Sequence, residues 1–135
     1  MSVDSGEGLI ATKSPHGPRE TADRLARAIA DRAIPVVARI DHAAAAALAG
    51  LDLRPTEVFI FGQAKVGTPL MQQAQTAGID LPLRILVWQD ESGQVWLGYT
   101  DPRRLAARHG VGDGAAPTLE LMSQTLAALV FHAAA

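Results

Sequence analysis

The chain contains no cysteine. A disulfide framework, a thiolate metal site and a thiol nucleophile are therefore excluded, and the composition suits a reducing compartment. Aromatic residues are scarce: two Trp, one Tyr and three Phe among 135 residues make too sparse a surface for base stacking. Charge of one sign is missing too. Twelve Lys and Arg against fourteen Asp and Glu leave a formal net charge of −2, so no global field draws the chain to nucleic acid or anionic lipid. Neither is expected as a partner. No apolar run approaches the ~18 residues that cross a bilayer, and the polar, acidic start MSVDSGEG lacks the pattern of a secretory signal. The expectation is a soluble, cytoplasmic protein.

What is present is enough for one domain, since a chain of this length buries roughly two-thirds of its unfolded surface without covalent help. Residues 1–8 read as a flexible leader and residues 9–135 as the domain. A short strand is expected over 9–13, before the turn residues Ser14, Pro15 and Gly17. Pro18 and Glu20 then open a helix whose apolar face is Ala22, Leu25, Ala26, Ile29, Ala30 and Ala33, and Pro35 stops it. A β-branched strand over 36–40 leads into Asp41, His42 and an alanine-rich helix closing at Gly50. EVFIFG (57–62) and RILVW (84–88) read as neighbouring central strands, the second forming an antiparallel hairpin with 95–100. Asp101 caps a helix starting at Pro102 and leaving at Gly110, and Leu119, Met122, Leu126, Leu129 and Val130 mark a core-facing final helix. The fold class is α+β, a single mainly antiparallel sheet with helices on one face.

The segment from Gln63 to Pro82 is too long for an idle loop. Thr68 is placed as the cap of a helix with Pro69 in its first position and Gly78 ending it in the left-handed conformation. Gly62, Lys65, Gly67 and Thr68 then surround a strand-to-helix junction able to hold an anion on backbone N–H groups. A phosphate-binding P-loop is not matched, because Lys does not directly precede Thr68. Gly67, Thr68 and Pro69 are otherwise a turn and a cap.

Asp41 and His42 form the sharpest titratable pair. One reading makes Asp41 a helix cap and His42 the first helical residue. The other makes them catalytic, with His42 moving a proton and Asp41 or Asp80 orienting it. Asp80 and Arg84 flank the entry to a strand, as an ion pair tying the loop to the sheet or as part of a carboxylate or phosphate site. The four His lie far apart, none with helical pair spacing and none with a haem-attachment motif, so no metal and no cofactor is assigned. Serine lacks the G-x-S-x-G context of a hydrolase. Trp88 and Trp96 fall on adjacent hairpin strands, as cross-strand partners.

In combination, IDHAAAA, LRPTEVFIFGQAKVGTPLM, DLPLRILVWQD and VWLGYTDPRRLAARHG resemble the prokaryotic domain of unknown function 302 family over nearly the whole chain. The carrying steps are Ile40-Asp41-His42, Phe61-Gly62, Gly67-Thr68-Pro69 and Leu81-Pro82. The resemblance implies a TATA-binding-protein-like sheet backed by helices, and a homodimer. Gln63-Ala64 stands where the family commonly has Asn-Pro, which relaxes the turn there. The leading functional expectation is a homodimeric domain binding a small anionic molecule through Gly62, Lys65, Gly67, Thr68, Asp80 and Arg84, beside Asp41 and His42. An enzyme using His42 as general acid or base, and a structural or interaction module with no ligand, stay open.

Overall fold

A computed structural model describes residues 2–4 and 8–135, with side chains from Gly8 onward. The elements run β1 (Ser2–Asp4), β2 (Leu9–Ser14), α1 (Pro18–Asp31), β3 (Val36–Asp41), α2 (His42–Leu48), β4 (Thr56–Phe61) and α3 (Ala64–Gln73). There follow a 3₁₀ turn at Gln75–Ile79, β5 (Leu83–Gln89), β6 (Val95–Thr100), α4 (Pro102–Arg108), a second 3₁₀ turn at Asp113–Ala115, and α5 (Ala116–Ala134). The strands form one sheet in the order β1-β2-β6-β5-β4-β3. Every neighbouring pair is antiparallel, as the EVFIFG, RILVW and hairpin patterns indicate. Of the leader expected over 1–8, Ser2–Asp4 pairs with β2, and Met1 and residues 5–7 lie outside the described residues.

Alternation along the strands decides what each face does. Phe59 and Phe61 of β4, Ile85 and Val87 of β5, and Val95, Leu97 and Tyr99 of β6 turn to one face and are buried beneath α1 and α5. Helix α1 contributes Ala22, Leu25, Ala28 and Ile29, and α5 contributes Leu126, Leu129, Val130 and Ala133. Ala30, assigned by spacing to the buried stripe of α1, is exposed because the helix presents Thr21 and Ala28 instead, and Ala33, assigned to the same stripe, is exposed because it lies beyond the end of the helix at Asp31, with φ +55. A satellite cluster of Leu70, Ala77, Leu105, Ala115 and Met122 fastens α3, the first 3₁₀ turn and α4 to α5. That cluster fixes the end of the sheet where β4 leaves and β5 enters.

Helix α3 departs from the sequence expectation. It starts at Ala64, after an extended Gln63 that provides no side-chain cap, and carries Pro69 inside it. Thr68 is thus an exposed interior residue and not a cap. Pro69 forfeits the hydrogen bond to the Lys65 carbonyl, while Leu70, fully buried in the satellite cluster, holds the helix in place. Gly78 belongs to the 3₁₀ turn and does not have a positive φ, so it is no left-handed helix end. By contrast, α2 ends as expected: Gly50 has φ +76, and Leu51 N–H donates to the Ala46 carbonyl.

Candidate functional site

Strand register separates the expected site residues into two groups. Asp41 pairs with Glu57, and Glu57 with Val87, at one end of the sheet; Val36, Phe61 and Leu83 pair at the other. Along β4 these ends are about 13 Å apart, so Asp41 and His42 do not share a site with Gly62, Lys65, Gly67, Thr68, Asp80 and Arg84.

At the first end, Asp41 caps α2, its Oδ1 accepting the Ala44 N–H at 2.9 Å. His42 is the exposed first residue of that helix, and no hydrogen bond joins it to Asp41 among the described residues. Asp41 also lines a cavity of about 400 Å³ with Arg19, Arg39 and Glu57. Arg39 stacks on Phe59, 4.7 Å from the ring centroid, and binds Glu57 at 2.7 Å and Asp23 at 3.3 Å. The hydrogen bond that Arg39 donates to Glu57 raises the pKa of the guanidinium. Arg39 is thus held by two carboxylates, whereas Arg19 has no carboxylate partner among the described residues.

The second end is different. Arg84, Arg104 and Arg108 line a cleft of about 620 Å³ whose wall includes Thr100, Leu83 and Leu126. Three elements bring these arginines together. Arg84 enters on β5, opposite Ile60. Arg104 and Arg108 are one helical turn apart on α4 and therefore on one face. Asp101 caps α4 by accepting the Arg103 N–H at 3.0 Å. Burial pushes the Asp101 carboxyl up, but its bonds with Arg103 outweigh this and hold it below the usual range. Gly8 (φ +91) lets the stem of Arg104 close against the backbone, where a Cβ would come within 2.5 Å of Arg104 Cγ.

Asp80 is the one acidic residue in the lining of the cleft, and it is already engaged. It does not pair with Arg84, as its position in the sequence suggests; Arg108 Nη1 donates to both its oxygens at 3.1 and 3.3 Å. His109 Nε2 contacts Oδ2 at 2.5 Å, and His109 Nδ1 meets Thr76 Oγ1 at 2.9 Å. With Nε2 donating to the carboxylate, Nδ1 accepts from the threonine hydroxyl, so both ring nitrogens are satisfied. Arg84 has no carboxylate partner among the described residues. Its expected partner has been taken by α4.

The remaining expected residues line neighbouring concavities. Gly62 and Lys65 border a pocket of about 250 Å³, and Gly62 and Gly67 an adjoining one of about 300 Å³; exposed Thr68 borders neither. Sequence reasoning missed Arg104, Arg108, His109 and Thr76. A signal existed for the first two, because arginines four apart on a capped helix form a basic stripe. Among the described residues no cluster of three His, Asp or Glu could hold a metal ion, and no helix is long and apolar enough to cross a membrane.

Comparison with known proteins bears on the same region. The family model DUF302, a domain of unknown function, matches residues 10–129. Curated relatives include "Fluoride-specific ion channel FluC 1" of Brucella suis biovar 1 (strain 1330), 47% identical over 110 residues, covering 82% of this chain and 42% of that protein. The protein of the same name from Brucella abortus biovar 1 (strain 9-941) is also 47% identical over 110 residues, with 82% of this chain and 40% of its own length covered. The chain thus spans about two-fifths of the length of these relatives. The crystal structure of a DUF302 protein from Bacillus stearothermophilus superposes with a TM-score of 0.82 at 17% identity, covering 93% of this chain and 98% of that one. At that identity it establishes the α+β fold.

Proposed function

The chain belongs to the DUF302 family, and on that premise we propose that it is a binding domain for a small polyatomic anion, held in the cleft of Arg84, Arg104 and Arg108. The observation that supports this most is the charge of that cleft: three arginines line it against one carboxylate, Asp80, which Arg108 and His109 hold, and Arg84 has no carboxylate partner among the described residues. A guanidinium offers a planar fork of donors that fits carboxylate and phosphate oxygens in pairs. The Brucella relatives carry the name of a fluoride channel, yet an open cleft of about 620 Å³ cannot replace the hydration shell of a monatomic ion. Its chemistry suits phosphate or a small carboxylate better. Thermal denaturation with inorganic phosphate, citrate and fluoride tests the reading. An oxyanion at tenfold excess over its Kd adds about 1.4 kcal/mol of stability, and Arg84→Ala weakens binding by roughly 10- to 100-fold, the worth of a charged hydrogen bond. No stabilisation by either oxyanion, or the same stabilisation in Arg84→Ala, refutes it.

A second observation favours the homodimer. The sheet face away from the helices carries Ala38, Ile40, Val58, Ile60, Leu86, Trp88 and Trp96, with Lys13, Thr56 and Arg84 beside them, a more apolar set than an uncovered antiparallel sheet ordinarily shows. The face of β2 to β6 amounts to about 500 Å² per copy from strand spacing and length, so two copies packed face to face reach about 1,000 Å², the lower bound for a stable interface. Trp88 and Trp96 are the chain's two tryptophans, and both lie on this face. Dilution of a dimer should red-shift their emission as sedimentation reports the monomer; a monomer at all concentrations contradicts this reading.

A further inference from the structure

We infer that the two pockets flanking the start of α3 together form a second binding site, for an amphipathic anion with an apolar tail and a carboxylate-like head. The pockets share Gly62, Gln63, Val66, Leu83 and Met122 as a common wall, so a ligand in one is in contact with the lining of the other. Their floor is apolar: Met122, in both linings, and Phe61, in one, are each 1% exposed. Met71 and Met122, unbranched and polarisable, let the walls adapt to a chain of variable shape. At about 250 and 300 Å³, the pair reaches the range in which small molecules bury most of their surface.

Charge makes the site directional. The pocket bordered by Met71, Leu81 and Pro82 has no charged residue in its lining, whereas the other has two cations, Arg32 and Lys65, and no acid. Neither cation has a carboxylate partner among the described residues. Lys65 lies in the first turn of α3, where unpaired N–H groups add to the positive field. The tail belongs in the uncharged lobe and the head between Arg32 and Lys65. Val37 and Leu121, 63% and 50% exposed at the outer rims of the two lobes, gain a covering when the site is filled. This site adjoins the arginine cleft at Leu83 but contains none of the three arginines, and it takes the apolar part of its ligand as well as the charge.

The test is a fluorescence titration of the whole chain with 1-anilinonaphthalene-8-sulfonate, followed by displacement with octanoate, butanoate and octylammonium. Each buried methylene is worth about fourfold in affinity, so octanoate should displace the dye at a concentration on the order of 200-fold lower than butanoate. Octylammonium, with the same tail and the opposite charge, should displace it poorly. The paired substitution Arg32→Glu and Lys65→Glu, at two exposed positions, should weaken octanoate at least tenfold, and Gly67→Met should do so by filling the lobe toward Leu81. Circular dichroism shows whether each variant folds, and the charge-reversed chain carries the test if Gly67→Met does not. Inorganic phosphate, which has the charge but no apolar tail, should leave the dye in place, which keeps the outcome apart from that of the arginine cleft. Equal displacement by octanoate and octylammonium overturns the inference, as does equal displacement by octanoate and butanoate. A dye signal unmoved by the charge reversal also overturns it and places the dye on the open sheet face.

Discussion

Replacing Gly67 by alanine distinguishes a glycine that a turn requires from one that merely occupies a helix. Gly67 lies inside α3, and its φ is not positive. A Cβ built there meets only Leu81 Cδ1, at 3.6 Å, an ordinary van der Waals contact. Nothing has to move to admit the methyl group. Glycine within a helix costs about 0.5–1 kcal/mol relative to alanine, because its unfolded chain has more conformations to lose. Gly67→Ala should therefore stabilise the protein by about 0.5–1 kcal/mol and, for a chain of this length, raise Tm by about 2–4 °C. Urea titration with an unchanged m-value, together with a thermal melt, reads the effect. A fall in stability would mean that residue 67 occupies a turn needing glycine, and the placement of α3 from Ala64 onward would be refuted.

Gly98→Ala should act in the opposite direction: the new Cβ would lie 2.8 Å from Trp88 Cζ3, and displacing that ring costs about 1–3 kcal/mol. It also disturbs the Trp88–Trp96 stack at 6.2 Å, visible in near-ultraviolet circular dichroism; an unaltered spectrum contradicts the packing. Asp41→Ala should cost about 1 kcal/mol through loss of the α2 cap, while Thr68→Ala should leave stability level or raise it by about 0.5 kcal/mol. Equal losses in a urea titration would restore Thr68 as a cap. The Trp96 indole N–H, with Ser92 next in weight, lowers the pKa of Asp90 to about 2. Since the folded pKa is depressed, this contribution is complete above the ordinary value of 3.8 and is lost as pH falls toward 2. Trp96 emission should titrate with a midpoint near 2, and Asp90→Asn should abolish the transition; a midpoint near 4 would deny the bond.

The strands were legible because their signal is local. EVFIFG and RILVW are short β-branched and aromatic runs, and Asp90 to Gly93 carries turn chemistry, so pairing and hairpin followed from composition. Caps at Asp41 and Asp101 were legible for the same reason, each being a side chain that bonds a nearby N–H. The start of α3 was not. Gln63 is no capping residue, Thr68-Pro69 imitates a helix beginning, and what extends the helix back to Ala64 is the burial of Leu70 against residues remote in the chain. The candidate site failed to read out for a related reason. Asp80 and Arg84 stand close in sequence, yet α4 delivers Arg108 and His109 to Asp80 and leaves Arg84 lining a cleft with Arg104 and Arg108. That exchange of partners depends on where α4 docks, which the satellite cluster around Leu105 decides.

The most direct measurement is an NMR titration of the arginine side-chain Nε–Hε resonances with inorganic phosphate at constant ionic strength. The account predicts saturable shifts at Arg84, Arg104 and Arg108, which line the cleft, with Arg39, at the other end of the sheet, unmoved. Shifts that grow linearly and equally at every exposed arginine, or saturable shifts confined to the backbone of 64–68, would contradict it.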